Sequence, residues 1–369
     1  LSNNVAITYN YKQKTELPAY VRAYQNYYRY DMHSYNTWSS VWENYLYTNR
    51  EYGLEWKDGW RLDKYNMLAA GLEWRNTSIT YVNNYSDKSI TNVGAYVEDK
   101  MSLGKRWTLT PGVRYDNHSL FGGHTTPRAS LNYKADADTD IYLSWGQVFN
   151  APTTDDLFWP YSSMGGWIVA GNPNLKPETG NTTTLGINKK LNKTTSMKAS
   201  YFYSDLKDAI RWDSTVIGGT YYSTPSNVDS MKKQGAEISL ETKLSPEWRL
   251  SAGYSWLKME SKAGSAANYV ADVTNPQPNG YRLGVNYAQK AWDVSLNLTG
   301  ATGRSLERFS SSSYWVLDLA VNYKIDKNAK LYFKWNNITN QAYEVWGNSS
   351  IGNFPMPASN WQIGLKYSF

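Results

Sequence analysis

The sequence predicts an all-β protein, a transmembrane antiparallel β-barrel that passes the membrane many times. The closing segment WQIGLKYSF alternates strictly between apolar and polar residues, and about seventeen segments repeat this pattern. Such alternation is the period of a β-strand, because successive side chains point to opposite faces. Short and long connections also alternate along the chain. In the closing segment the apolar face comprises Trp361, Ile363, Leu365, Tyr367 and Phe369.

The composition fits a membrane barrel. The 369 residues include 32 Tyr and 17 Trp but only 8 Phe, so most of the aromatic residues are amphipathic. Tyr and Trp favour membrane interfaces because they combine an apolar ring with a polar tip. The chain has no run of about 18 apolar residues that could form a spanning helix. A membrane crossing would therefore use strands, whose alternation keeps mean hydropathy low.

Cysteine and histidine usage excludes several kinds of chemistry. With no Cys there can be no disulfide framework and no thiolate chemistry, as is common in bacterial envelope proteins. The three His leave little scope for histidine metal sites, and no resident metal or cofactor is expected. The net charge of +6 is spread over 38 basic and 32 acidic residues, which is typical of a solvated surface. No basic block indicates a nucleic-acid partner.

The strand segments place two kinds of residue on two faces. Apolar residues face lipid, whereas small and polar residues, among them Glu73, Arg114, Asp318 and Lys366, face the lumen. No repeat of fixed length with a recurring turn motif is present, which argues against a propeller. Clear strand segments are residues 5–11, MLAAGLEW (67–74), DIYLSWG (140–146), DVSLNLTG (293–300), WVLDLAVNYK (315–324) and AKLYFKW (329–335).

The connections give the strands their orientation, since bacterial barrels have short periplasmic turns and long extracellular loops. Short turns are predicted near 103–106, 134–140, 190–194, 244–247, 288–291 and 325–329. Long loops are predicted near 75–90, 116–126, 151–178, 205–230, 258–279, 303–312 and 341–359. On this orientation the first and last strands run in the same direction, and a closed antiparallel barrel cannot seal between them. We therefore expect that residues 1–369 are not the whole barrel.

Several motifs, in order and spacing, resemble those of TonB-dependent outer-membrane receptors. They are GVRYD (112–116), PRASLNY (127–133), the element Phe149–Pro152, AGNPNLKPETG (170–180), KKQGAEISLE (232–241), WNNITNQAYE (335–344) and GLKYSF (364–369). The resemblance implies a barrel of 22 strands enclosing an N-terminal plug. It also implies import of scarce metal chelates with energy supplied by the inner-membrane TonB complex.

Measured against that family, residues 1–369 form one partial barrel domain. We expect the plug, the TonB-binding segment and about the first five strands to be absent from residues 1–369, which leaves about seventeen strands. The missing part could lie on a second polypeptide, have been removed, or lie outside the given sequence. These alternatives remain open.

Outer-loop aromatic and basic residues are candidates for ligand binding. Aromatic faces could stack against a flat ligand, and arginine could bind an anionic chelate. The alternatives are packing within the loops and the interfacial aromatic girdle, or, for arginine, lipopolysaccharide phosphates and neighbouring carboxylates. The candidates are Trp159, Tyr161, Trp167, Arg211, Trp212, Tyr221, Tyr222, Tyr269, Arg304 and Trp346. At the C-terminus, Gly364, Tyr367 and Phe369 resemble the barrel-assembly signal of outer-membrane proteins.

The functional prediction is TonB-dependent import across the outer membrane, with a ferric siderophore first, cobalamin second and haem third. Haem ranks last because no His lies between residues 150 and 178. The expected partners are the chelate, the TonB complex acting through the plug, and outer-membrane lipid and lipopolysaccharide. The alternative is a passive substrate-selective porin. No catalytic residue is predicted, because no G-x-S-x-G motif is present. DADTD (136–140) has three carboxylates, which are expected to bond the backbone of their own turn rather than calcium.

Overall fold

Nearly all of the regular structure is β-strand. The computed structural model describes residues 1–12, 16–36, 40–81, 88–159, 162–164, 167–263, 266–348 and 352–368. In this part of the chain, twenty strands form one hydrogen-bonded sheet and two more form a separate hairpin. No helix among these residues has the length and apolarity of a membrane span. The all-β prediction is confirmed.

The chain begins with eight long strands and continues with a short helix, further long strands and a few short ones. The first eight are β1 (Ser2–Lys12), β2 (Ala19–Asn36), β3 (Val41–Arg61), β4 (Asn66–Tyr81), β5 (Lys88–Leu103), β6 (Trp107–His118), β7 (Gly122–Lys134) and β8 (Thr139–Asn150). Next come α1 (Thr154–Phe158), β9 (Ser162–Met164), β10 (Trp167–Val169), β11 (Glu178–Lys190), β12 (Thr195–Ile217), β13 (Thr220–Lys243) and β14 (Trp248–Lys262). The last are β15 (Val270–Ala271), β16 (Asn279–Gln289), β17 (Trp292–Thr302), β18 (Ser313–Lys324), β19 (Ala329–Asn336), β20 (Glu344–Asn348), β21 (Gly352–Pro355) and β22 (Asn360–Tyr367).

Seventeen long strands pair in chain order, each antiparallel to the next. The pairing passes from β8 to β11, from β14 to β16 and from β19 to β22, so the short strands lie outside the main order. This agrees with the predicted strand number. The outermost strands, β1 and β22, run in the same direction, and within the described residues no pairing joins them.

The convex face of the sheet is apolar and has an aromatic border. Leu72, Leu185 and Ile363 project from it with more than half of their surface exposed, as expected for side chains that contact lipid. Near the short turns, aromatic residues on neighbouring strands pack in pairs, as in the interfacial belt of membrane barrels. These pairs are Trp107 with Tyr133, Trp248 with Tyr287, and Trp292 with Tyr323, with ring centres 4.3, 4.8 and 4.7 Å apart.

Several predicted outer loops are shorter in the structure than in the prediction. Residues 75–81 belong to β4, residues 88–90 to β5 and residues 258–262 to β14. Residues 205–230 were predicted to be a loop, but β12 and β13 continue through them to a two-residue turn at Gly218 and Gly219. Both glycines have positive φ, 58° and 82°, which tight hairpin turns require and glycine adopts without strain. The predicted loop 116–126 is also shorter, because β6 runs to His118 and β7 begins at Gly122. The tight turns predicted at the opposite end are confirmed.

Candidate functional site

The segment after β8 folds into a single helical turn, α1, that begins with a capping box. The Asp156 backbone N–H donates to Thr153 Oγ1 at 3.1 Å, and the Thr153 N–H donates to the Asp156 carboxylate at 2.9 Å. These bonds satisfy donors that a helix start otherwise leaves free. The cap therefore fixes how the chain turns away from the barrel wall after the Phe149–Pro152 element.

Side chains from three strands of the wall hold α1 in place. The hydroxyls of Tyr47 in β3 and Tyr81 in β4 donate to Asp155 Oδ1 at 3.0 and 3.4 Å. Trp212 Nε1, in β12, donates to Asp156 Oδ1 at 2.7 Å. Since β3 and β12 are far apart in the order of the sheet, the sheet must curve strongly, with α1 on its concave, lumenal side.

Apolar contacts and the NPNL element support the same turn. Leu157 is almost fully buried and packs with Ile90 and Leu175. The Asn172 N–H donates to the Asp156 carbonyl at 2.7 Å, and Asn172 Nδ2 donates to the Pro225 carbonyl in β13 at 3.1 Å. The motif that resembles the receptor family therefore ties the loop to α1 and to the long β12–β13 hairpin.

A lumenal pocket of about 720 Å³ lies beside α1. The upper parts of β3–β6 and the chain from Phe149 to Asp155 line it. Within it, Arg114 binds Glu73 at 3.0 Å and Asp116 at 2.7 Å. The predicted lumenal position of Glu73 and Arg114 is thereby confirmed. Asn92 Nδ2 adds a bond to Asp116 at 2.9 Å, so the pocket wall is a connected polar network.

The aromatic candidates lie in different surroundings. Trp159 packs against Tyr47 and Tyr81, with ring centres 6.4 and 5.9 Å apart. Tyr161 lies outside the described residues. The backbone of Trp167 pairs in parallel with that of Tyr221, and Tyr222 is half-buried in the same strand, β13. Tyr269 exchanges a hydrogen bond of 2.6 Å with Ser230 and lies under the Lys232 ammonium.

The two arginine candidates have partners within the chain. Arg211 donates to Ser261 Oγ at 3.2 Å and lies 4.0 Å from Asp272. Arg304 is buried and donates to the Glu344 backbone carbonyl at 2.6 Å and to its carboxylate at 3.3 Å. Burial lowers the pKa of the Arg304 guanidinium, and Glu344 opposes that shift. These contacts account for both positions without a ligand, and ligand binding by either residue stays a prediction.

Arg304 and Trp346 belong to a second outer cluster. The Arg304 guanidinium lies over the rings of Phe309 and Tyr314, at 4.1 and 5.1 Å from their centres. Trp346 packs on Phe354 in the β20–β21 hairpin with ring centres 4.6 Å apart. The ten predicted residues therefore do not converge on one place. Trp159 and Trp212 contact α1, whereas the others that can be placed lie along β12–β14 or in this cluster.

At the end of the sheet, Gly364 lies under the ring of Tyr332. A Cβ on Gly364 would lie 2.3 Å from the Tyr332 hydroxyl, so glycine allows this close approach. Tyr367 pairs with Ala329 in β19 and projects outward, half-exposed. Phe369 lies outside the described residues. The assembly role of these three residues stays a prediction.

The described histidines and the DADTD turn have contacts within the chain. His33 stacks on Trp42 with ring centres 4.6 Å apart, and His124 stacks on Phe149 at 3.9 Å. The Asp138 N–H donates to Asp136 Oδ1 at 2.8 Å, which confirms the expected turn bond and holds the pKa of Asp136 below its usual value. Among the described residues no group of three or more potential ligands could hold a metal ion.

The family model for the TonB dependent receptor-like β-barrel matches residues 2–338. The chain belongs to this family. It is 29% identical over 298 residues to the vitamin B12 transporter BtuB of Vibrio vulnificus, covering 78% of this chain and 44% of the transporter. It is 24% identical over 303 residues to the iron-regulated outer membrane virulence protein of Vibrio cholerae, covering 76% and 45%. The chain thus spans less than half the length of these two relatives.

The solved structure of the copper transporter OprC matches the whole of this TonB-dependent barrel with a TM-score of 0.78 and 16% sequence identity. The match covers 65% of the OprC chain. That likeness shows a shared fold. Membership of the TonB-dependent receptor family makes the protein an outer-membrane β-barrel, and α1, Tyr47 and Tyr81 lie within it. Sequence reasoning missed these contacts. The T-x-x-D pattern from Thr153 to Asp156 signals a cap, but nothing marks Tyr47 or Tyr81 among 32 tyrosines.

Proposed function

We propose that this chain is the larger part of the barrel of an active importer, which carries a metal chelate across the outer membrane with energy from TonB. The observation that carries the proposal is α1, a short turn held over a polar lumenal pocket by Tyr47, Tyr81 and Trp212. A fixed element beside a lumenal pocket suits a ligand that must be captured before it moves inward.

The complete importer, in this proposal, has 22 strands and a plug, of which residues 1–369 supply seventeen strands. The parallel direction of β1 and β22 supports it, because an odd number of additional strands is needed to close an antiparallel barrel. About five strands meet that requirement. They and the plug would come from sequence outside this chain, on the same polypeptide or on a second one.

The proposed substrates are a ferric siderophore, cobalamin and, third, haem. The named relatives include a vitamin B12 transporter and an iron-regulated virulence protein, which supports the first two classes. His118 at the end of β6 and His124 near the start of β7 lie at the outer end of the barrel, and each already packs on an aromatic ring. Haem ligation by histidine therefore has little support.

In the proposed cycle, outer-loop residues bind the chelate, the plug rearranges when TonB acts on it, and the chelate passes inward. TonB supplies the energy that shifts the population toward the open state. Exposed apolar residues on the convex face contact outer-membrane lipid, and basic groups above them meet lipopolysaccharide phosphates.

The test is uptake of radiolabelled cyanocobalamin and ferric siderophores by cells that carry the complete receptor. Deletion of its TonB-binding segment is expected to abolish uptake while surface binding persists. Uptake that continues without TonB, together with steady ion conductance in planar bilayers, would instead support the passive porin and contradict the proposal.

A further inference from the structure

The lumenal pocket beside α1 carries more negative than positive groups. Its carboxylates outnumber its guanidinium groups by four to two, and it lies among strands that enclose the proposed ligand path. Arg114 is already neutralised by contacts with two of the carboxylates. The carboxylates belong to Glu51, Glu73, Asp116 and Asp155, and the guanidinium groups to Arg75 and Arg114.

Three polar groups at the pocket have unused hydrogen-bonding capacity. Asn92 is more than nine-tenths buried, and its Oδ1 accepts no hydrogen bond from any described residue. The side chain of Arg75 makes no hydrogen bond or ion pair with the described part of the chain. His118 Nδ1 accepts the Leu120 N–H at 3.3 Å, which requires the proton of the neutral ring to be on Nε2. The pocket therefore offers both donors and an acceptor.

A ligand that fits this arrangement must itself present both donors and acceptors. Amide and hydroxyl groups do so without bringing charge into the pocket. A chelate with several negative charges would meet a surplus of carboxylates, whose repulsion grows as water is excluded. A ligand without a donor for Asn92 Oδ1 would bind more weakly still, because a buried acceptor without a donor is unfavourable.

We infer that this pocket selects a neutral metal chelate with amide or hydroxyl groups at its periphery, and discriminates against multiply anionic chelates. The inference rests on the proposed import function and narrows its substrate class by charge. It includes corrinoids and neutral ferric hydroxamates, and it excludes ferric catecholates that carry three negative charges.

The test is equilibrium binding to the purified complete receptor in lipid nanodiscs. The probes are cyanocobalamin, ferrichrome as a neutral ferric hydroxamate, and ferric enterobactin as a trianion. We expect at least one neutral chelate to bind about 100-fold more tightly than ferric enterobactin, given the net charge facing the ligand. Equal or tighter binding of ferric enterobactin would overturn the inference, and so would failure of both neutral chelates to bind.

A carboxylate variant tests whether this pocket sets the preference. Glu51 accepts hydrogen bonds from Asn26 and Thr77 at 3.0 and 3.2 Å, and Glu51→Gln keeps the shape of the side chain while removing its charge. We expect this variant to reduce the preference for the neutral chelate by about tenfold. The control is Glu55→Gln, in the same strand and four residues nearer the periplasm, which does not line the pocket. Equal effects of the two variants would contradict the inference.

An arginine variant tests the donor side of the pocket. Arg75→Gln is expected to weaken binding of the neutral chelate by about tenfold, the loss expected when a charged donor is removed. The control is Arg128→Gln, since Arg128 is paired with Glu98 at 2.7 Å and lies outside the pocket lining.

The inference about charge and the proposed import function can fail separately. If TonB-driven uptake occurs but ferric enterobactin is the preferred ligand, the inference about charge is wrong and the proposed import function is supported. If neutral chelates are preferred but uptake does not require TonB, the proposed import function is wrong and the inference about charge is supported.

Discussion

At the scale of single residues, glycine on the lumenal face lets a long side chain lie across the neighbouring strand. Gly94 in β5 is the clearest case, because a Cβ there would be 2.2 Å from Arg114 Nη2 and 2.9 Å from Asp116 Oδ1. An added methyl group at this position could be accommodated only if the side-chain ends of Arg114 and Asp116 moved. The ion pair of Arg114 with Asp116 therefore depends on the absence of a side chain at position 94.

Gly94→Ala is expected to push the Arg114 guanidinium away from Asp116 and to lower the free energy of unfolding by about 1 kcal/mol, because the flexible end of Arg114 can move aside but then loses a hydrogen-bonded ion pair. The measurement is equilibrium unfolding of the complete receptor in urea. The matched control is Gly253→Ala in β14, where the nearest atom is 3.8 Å away. If both variants unfold at the same urea concentration, the contact at Gly94 has no energetic importance.

Asp156 has two structural roles, as the third helical residue (N3) of the capping box of α1, where it accepts from Thr153, and as the acceptor for Trp212. Asp156→Ala removes both contacts, and loss of one such hydrogen bond costs about 0.5–1.5 kcal/mol. We expect faster hydrogen exchange at the Leu157 amide by about tenfold or more. Asp136→Ala is the control, because Asp136 bonds its own turn at the opposite end of the barrel. Unchanged exchange at Leu157 would show that the other contacts hold α1 alone.

At the scale of elements, period and turn length predicted the strands well, whereas the ends of the longest strands were missed. β12 and β13 have 23 and 24 residues, although about 10 suffice to cross a membrane. The local signal for continuing the hairpin was present as Gly218-Gly219 between β-branched and aromatic residues. Residues 205–230 were nevertheless predicted to be a loop, because extracellular connections of bacterial barrels are usually long and irregular.

The candidate site was predicted less completely than the fold, for a physical reason. Periodicity identifies a face of a strand, but contacts between distant strands depend on how the sheet curves. Thr153 and Asp156 form a local cap, and their spacing is visible in the sequence. The contact of Tyr47 with Asp155 joins residues 108 positions apart, and the partner of Arg304 lies 40 positions away. No local pattern specifies either contact.

The upper part of the β12–β13 hairpin is expected to order the loop that follows α1. Replacing residues 214–223 by Asn-Gly removes the backbone partners of Trp167–Val169 in β10. We predict at least about tenfold faster hydrogen exchange in β10, because its amides lose a strand that satisfies them. Exchange in α1 should stay slow, since Tyr47 and Tyr81 remain.

The control for this change is an equal shortening of the β2–β3 hairpin, in which residues 34–43 are replaced by Asn-Gly. The described residues of that segment that are in strands pair within the hairpin and not with β10. This control should leave exchange in β10 unchanged. If both deletions accelerate β10 equally, the loop is ordered by the outer surface as a whole and the specific role of β13 is wrong.

At the scale of the whole molecule, the antiparallel order determines how the sheet can close. β1 and β22 run in the same direction, and each leaves an edge with unpaired backbone groups among the described residues. Such edges are unfavourable in a membrane, where no water can satisfy them. An odd number of additional strands between β1 and β22 would pair with both edges and give the barrel an even number of strands.

The absence of cysteine allows this closure to be tested by disulfide formation in the complete receptor. Cysteines at Ile7 and Ala23, which are direct partners in β1 and β2, are expected to cross-link on mild oxidation. Cysteines at Ile7 and Ile363, in β1 and β22, are expected to stay reduced, because about five intervening strands would separate them by six strand spacings, or about 29 Å. A disulfide between positions 7 and 363 would mean that the two edges meet, and that seventeen strands close the barrel alone.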